Sequence, residues 1–131
     1  MDSPLSPQKK KVLIIEDEGD MCLLLNIILQ DEDHQVDHAK NLHSATQYLQ
    51  TEKPEIVLLD NKLPDGFGVD FIQVVKKLSP SSGIIMLTGY DPSAGDVALE
   101  NGADLFLTKP FTREQVTTAV NSLLNKEKSL A

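Results

Sequence analysis

Ile56-Val57-Leu58-Leu59-Asp60 runs directly into Asn61-Lys62-Leu63-Pro64-Asp65-Gly66. Four apolar residues follow one another without a polar break, end in a lone carboxylate and are bounded by turn-forming residues. Such a run reads as a strand covered on both faces. Asp60 then stands where the strand leaves the core, at its carboxyl end. In open α/β sheets that edge is where ligands gather. Alone, the stretch admits two readings: a carboxylate that caps a turn, or one that carries chemistry. The other strand ends decide between them.

The same alternation continues on either side. Val12-Leu13-Ile14-Ile15 is a short buried strand ending in Glu16-Asp17-Glu18. Met21, Leu24, Leu25, Ile28 and Leu29 then recur at helical spacing with further apolar residues between them, which predicts a largely enclosed helix. Gln35 to Ala39 is a weaker strand, and Leu42, Ala45, Tyr48 and Leu49 mark a second helix that stops before Pro54. After Asp60 comes a loop through Gly66 and Gly68, then a third helix carrying Phe71, Ile72, Val75 and Leu78. Gly83 to Leu87 is a fourth apolar strand that stops at Thr88-Gly89. Asp91 and Pro92 form a helix start and Gly102 the matching stop. Leu105-Phe106-Leu107 is a fifth strand, ending near Lys109-Pro110. Thr112-x-x-Gln115 is a capping box for a last helix that presents Val116, Ala119, Val120, Leu123 and Leu124 to the sheet.

Five strands alternating with five helices predict one α/β domain, a (βα)5 doubly wound parallel sheet with helices on both faces. Its expected limits are 11–126, with flexible tails at 1–10 and 127–131. Periodicity does not give the strand order.

The 131 residues carry a formal charge of −8, which argues against direct nucleic-acid binding by this chain. No apolar stretch approaches the roughly 18 residues of a membrane span. Lys9-Lys10-Lys11 precedes too short an apolar run for a signal peptide. The single cysteine, Cys22, has no internal disulfide partner and fits a small core residue in a reducing cytoplasm. His34, His38 and His43 share no ligand spacing and read as surface residues.

In a parallel sheet all carboxyl ends lie along one rim. Glu16, Asp17, Asp60, Thr88 and Lys109 then project from the same edge. Three carboxylates gathered there repel one another unless a cation intervenes. Hard oxygen ligands of this kind suit Mg²⁺. Lys109 adds a second positive charge and Thr88 a hydroxyl. The set describes a pocket for a group with several anionic oxygens beside a carboxylate, and a phosphoryl group on Asp60 fits it.

These pieces resemble the receiver domain of two-component response regulators. They are Val-Leu-Ile-Ile-Glu16-Asp17-Glu18, Val-Leu-Leu-Asp60-x-x-x-Pro64-Asp65-Gly66, Met-Leu-Thr88-Gly89 and Lys109-Pro110-Phe111. The resemblance runs from Lys11 to about Asn125. It implies the CheY-like, flavodoxin-like strand order 2-1-3-4-5. It further implies Asp60 as phosphoacceptor, with Mg²⁺ (Mn²⁺ substituting) held by Asp17, Asp60 and the backbone carbonyl of Lys62, and by Glu16 through water. Lys109 would pair with phosphoryl oxygens, Thr88 would report them, and Phe106 would occupy the aromatic switch position. A cis bond before Pro110 is also implied. The implied partners are a sensor histidine kinase or histidine phosphotransfer protein, and an output domain or downstream protein met by the face of the fourth helix, fifth strand and fifth helix. The protein would be cytoplasmic, a monomer or phosphorylation-dependent dimer, and not a turnover enzyme.

Two departures stand out. Glu16 replaces the aspartate of many receivers, which implies tuned metal affinity. Phe106 replaces the common tyrosine and has no hydroxyl to offer. Lys62 and Tyr90 occupy variable positions that shape water access, and together they imply slow self-dephosphorylation. Of the rival readings, an aspartate-phosphorylating hydrolase wants a second acid where Lys62 stands. A nucleotide or flavin module wants a glycine- or hydroxyl-rich phosphate loop where Glu16-Asp17-Glu18 stands. A receiver-like fold kept as a constitutive docking module is the remaining alternative.

Overall fold

The computed structural model describes residues 10–89 and 92–129. The expected Asp91 cap, the role given to Tyr90, and the tails at 1–9 and 130–131 lie outside the described residues. The elements in chain order are β1 (Lys11–Ile15), α1 (Gly19–Asp31), β2 (Gln35–Ala39), α2 (Leu42–Thr51), β3 (Ile56–Asp60), β4 (Lys62–Leu63), β5 (Gly66–Phe67), α3 (Gly68–Leu78), β6 (Gly83–Thr88), α4 (Pro92–Glu100), β7 (Leu105–Thr108) and α5 (Arg113–Ser129). The main sheet is parallel throughout, in the order β2-β1-β3-β6-β7. Counted among the five long strands alone this is 2-1-3-4-5. The short pair β4–β5 is a hairpin inside the segment expected to be a plain loop.

The apolar runs explain the layering. Along a strand successive side chains point to opposite faces, so an unbroken run feeds two cores. Leu13, Ile15, Val57, Leu59, Ile84 and Met86 pack with residues of α2, α3 and α4. Val12, Ile14, Ile56, Leu58, Ile85 and Leu87 pack with residues of α1 and α5. All five residues of β3 are buried. Each large aliphatic side chain so enclosed stabilises the fold by roughly 1.5–3 kcal/mol relative to exposure, which holds β3 at the centre of the sheet.

Helix ends follow the sequence signals. The Thr112 amide donates to Gln115 Oε1 at 2.8 Å and the Gln115 amide to Thr112 Oγ1 at 3.1 Å, closing the capping box. Gly102 follows α4 at φ 109°, a backbone region that favours glycine. α5 continues to Ser129, so residues 127–129, expected in the C-terminal tail, belong to the helix.

Two expectations need correction. α1 is not enclosed: Leu23, Leu24 and Ile27 are 59, 44 and 48% exposed, and Leu25, Ile28 and Leu29 are its buried residues. Its apolar residues run nearly all round, whereas the helix meets the sheet along one stripe, so the pattern overstated its burial. His34 is not a surface residue either. It is half-buried, and its Nδ1 is enclosed without a hydrogen-bond partner. Burial pushes its imidazole below the ordinary histidine range, against the pull of Glu32 and Asp33.

One glycine ties the fold to the rim. A Cβ on Gly68 would lie 2.2 Å from the carbonyl oxygen of Asp60. The Gly68 amide meanwhile donates to the Asn61 carbonyl at 2.8 Å, so α3 starts hard against the end of β3. Gly68→Ala should lower stability by about 3 kcal/mol, since main-chain atoms must separate. A urea midpoint equal to that of the wild type would show instead that the Asp60 carbonyl yields freely.

Candidate functional site

Parallel pairing carries the ends of β1, β3, β6 and β7 to one edge. The Glu16 amide extends β1 by donating to the Ala39 carbonyl at 3.1 Å, Asn61 extends β3 to the Leu87 carbonyl at 3.2 Å, and Lys109 extends β7 to the Thr88 carbonyl at 2.8 Å. These bonds deliver residues from distant parts of the chain to one place. The result is an open cleft of about 810 Å³ lined by Glu16, Asp17, Glu18, Asp60, Asn61, Lys62, Gly89, Ala94 and Lys109.

Glu16, Asp17 and Asp60 each bring a carboxylate oxygen within 4.8 Å of the others. Glu16 and Asp60 are buried, and Asp17 is exposed. Lys109 Nζ donates to Glu16 Oε1 and to Asp60 Oδ1, both at 3.1 Å. The second Glu16 oxygen accepts from the Asp17 and Glu18 amides at 3.1 and 3.3 Å. The peptide bond between Lys109 and Pro110 is cis, as the resemblance implied.

The balance of charge is unfavourable to the carboxylates. Desolvation, then the neighbouring Asp60 carboxylate, pushes Glu16 up to about 7, with Lys109 opposing them. Burial works against the Lys109 ammonium, yet the Asp60 and Glu16 carboxylates outweigh it and hold its pKa above the ordinary lysine value. Four carboxyl groups line the cleft against two lysines. A donor set of clustered carboxylate oxygens short of positive charge fits a hard divalent cation such as Mg²⁺.

Lys62 is exposed in β4 at the cleft wall. Thr88 is buried at the end of β6, but its hydroxyl is directed to the Leu107 carbonyl, at a long 3.4 Å, and not to Asp60. Phe106 is not in the cleft. It lines a groove of about 480 Å³ beside α5, with Leu105, Leu107 and Gln115 among its neighbours. Cys22 Sγ donates to the Glu16 carbonyl at 3.2 Å, tying α1 to the rim.

Two supporting residues escaped the sequence reading. Asp65 sits in the β4–β5 turn as expected, but its carboxylate also accepts from the Leu42 and His43 amides at 2.8 and 3.0 Å. Those are free donors of the first turn of α2, and they hold Asp65 below the usual carboxylate range. Asn61 Oδ1 accepts from the Val69 amide at 3.1 Å and so anchors α3. Both contacts join segments far apart in chain order, and no local pattern announces them.

The family model for the response regulator receiver domain matches residues 12–121. The chain belongs to the response regulator receiver family. Within this family, a virulence transcriptional regulatory protein PhoP from Salmonella typhimurium (strain LT2) is 34% identical over 122 residues, covering 92% of this chain and 54% of that protein. The chain thus spans about half the length of the curated relatives it matches. Among solved structures, a CheY-like response regulator receiver domain protein from Methanospirillum hungatei superposes with a TM-score of 0.87 at 26% identity, covering 95% of this chain and all of that one. A response regulator from Burkholderia pseudomallei, determined with a phosphorylated aspartic acid, a calcium ion and citrate, gives 0.79 at 28% identity, covering 93% and 74%. This receiver domain is therefore a signalling module of two-component systems with the CheY-like fold.

The raised Glu16 gives a pH signature for metal-free protein. Its folded value near 7 exceeds its ordinary value of 4.5, so the folded state holds the extra proton between those limits. Its contribution is complete below about 4.5 and is lost as pH rises through about 7. Relative to Glu16→Gln, the wild type should lose on the order of 2 kcal/mol across that window. Urea unfolding at several pH values measures the difference, and a flat difference would refute it.

Proposed function

We propose that this receiver domain accepts a phosphoryl group on Asp60 from a phosphohistidine of a sensor kinase or phosphotransfer protein, and that the modification alters a partner-binding face. The observation that carries the reading is the convergence of the Asp60 carboxylate, the Lys109 ammonium and the acids Glu16 and Asp17 at one open cleft. The first proposed step is attack of an Asp60 carboxylate oxygen on phosphorus in line with the leaving nitrogen. The O–P bond forms as the P–N bond breaks, and the departing imidazole keeps the bond electrons and takes up a proton.

Asp17, Asp60 and the Lys62 carbonyl would hold Mg²⁺, with Glu16 contributing through water; once bound, the ion would offset the charge on the transferring oxygens. Lys109 already faces Asp60 Oδ1 at 3.1 Å, so its ammonium is placed to neutralise phosphoryl oxygens without reorganisation. The Thr88 hydroxyl would leave the Leu107 carbonyl, a weak partner at 3.4 Å, for a charged acceptor, and charge-assisted bonds are about twice as strong as neutral ones. Phe106 would then repack by shape alone. The face of α4, β7 and α5, which carries the groove between β7 and α5, is the one offered to an output domain or partner. Shifting a two-state population from 1:99 to 99:1 takes about 5.5 kcal/mol, so the phosphoryl contacts act by biasing an existing equilibrium.

Mg²⁺ with acetyl phosphate should place a base-labile, hydroxylamine-sensitive adduct on Asp60, detected by mass spectrometry and absent from Asp60→Asn. Thr88→Ala should still take up the group while losing most of the spectral change at the β7–α5 groove. Unmodified wild type, under conditions that modify a known receiver, would leave the constitutive docking module as the better account.

A further inference from the structure

α4 carries a glycine at a helix-interior position, where alanine would hold the helix better. Gly95 is buried, and the space its missing side chain leaves is filled. A Cβ there would lie 2.3, 2.4 and 2.6 Å from Cε2, Cδ2 and Cζ of Phe106. Carbon atoms rest at about 3.5–4.0 Å, so the ring edge occupies the volume a methyl group would need. By contrast, Gly19 and Gly89 have nothing within 4 Å of the corresponding point. The notch in α4 is specific to this ring.

Its position links two sites. Ala94, the preceding residue, lines the Asp60 cleft. Phe106 lines the β7–α5 groove, and its register partner on β6 is Met86, two residues before Thr88. With no hydroxyl, the ring can be held only by shape.

We infer that Gly95 is the positioning residue that couples the cleft to the groove: its notch seats the Phe106 ring, so that α4 and the ring move together. This rests on the reading of Asp60 as phosphoacceptor for its signalling consequence, but the seat itself is independent of that reading. A side chain at 95 would expel the ring or push α4 off β7, and in either case movement of the cleft wall would no longer be passed to the groove.

Two measurements test it. In urea unfolding, Gly95→Ala should lower the midpoint when Phe106 is present and raise it in the Phe106→Ala background, where helix propensity acts alone. A rise in both backgrounds would overturn the seat. Should the single variant fail to fold, the double variant must fold, and its failure would equally count against the inference. In the second measurement, amide spectra are recorded with Mg²⁺ and beryllofluoride, while acetyl phosphate labelling of Asp60 is followed by mass. Gly95→Ala should label at the wild-type rate yet lose the spectral response at Leu105, Gln115 and Ala119. An undiminished response would refute the coupling. Absence of label from the wild type would instead refute the phosphoacceptor reading and leave the seat to be judged by the unfolding experiment.

Discussion

The ammonium of Lys109, 3.1 Å from a carboxylate oxygen of Glu16 and 3.1 Å from one of Asp60, is the contact on which this site depends. It joins the ends of three sheet strands that are up to 93 residues apart in the chain. Buried like charges cannot face each other uncompensated, because desolvation and mutual repulsion both act against the ionised forms. One lysine offsets part of that cost and leaves part standing, as the raised Glu16 records. The receiver domain thus keeps a poorly neutralised, acid-rich cleft at the end of an otherwise well-packed sheet. Stability is given up locally at the rim, where the titratable groups of the domain are gathered.

The remainder of the fold holds that cluster to a small tolerance. Two cores pack against opposite faces of the same strands, so neither face can relax without disturbing the other. At the rim the fixing contacts are polar and main-chain: the Gly68 approach to the Asp60 carbonyl, the Asn61 anchor on α3, and the Asp65 carboxylate on the first turn of α2. Thr88 differs in kind, since its hydroxyl has only a long bond to the Leu107 carbonyl. A weak contact beside strong ones marks the group that can move at little cost.

What the sequence discloses follows from which forces are local. The β3 run, the capping box at Thr112 and Gln115, and the acids after β1 were all legible because periodicity and turn chemistry act within a few residues. The strand order came only through resemblance, as nothing in the spacing of strands tells which will be neighbours. The enclosure of α1 was misjudged because continuous apolar residues hide which stripe meets the sheet. His34 was misplaced because ligand spacing says nothing about burial at a strand start. The contacts of Asp65, Asn61 and Gly95 are not legible for one shared reason: each acts on a partner brought near only by the tertiary fold.

Since every long strand runs in the same direction, the loops divide cleanly between the two ends of the sheet. Those at the amino ends take no part in the cleft. Pro80 and Ser81 form an exposed crest there, held at its base by the buried Ser79–Ser82 hydroxyl pair and the bond from Ser82 to the Pro54 carbonyl. A dye, affinity handle or surface tether grafted onto that crest would sit a full strand length from the Asp60 carboxylate. The molecule therefore provides a natural point of attachment for single-molecule or immobilised formats in which the cleft must go undisturbed.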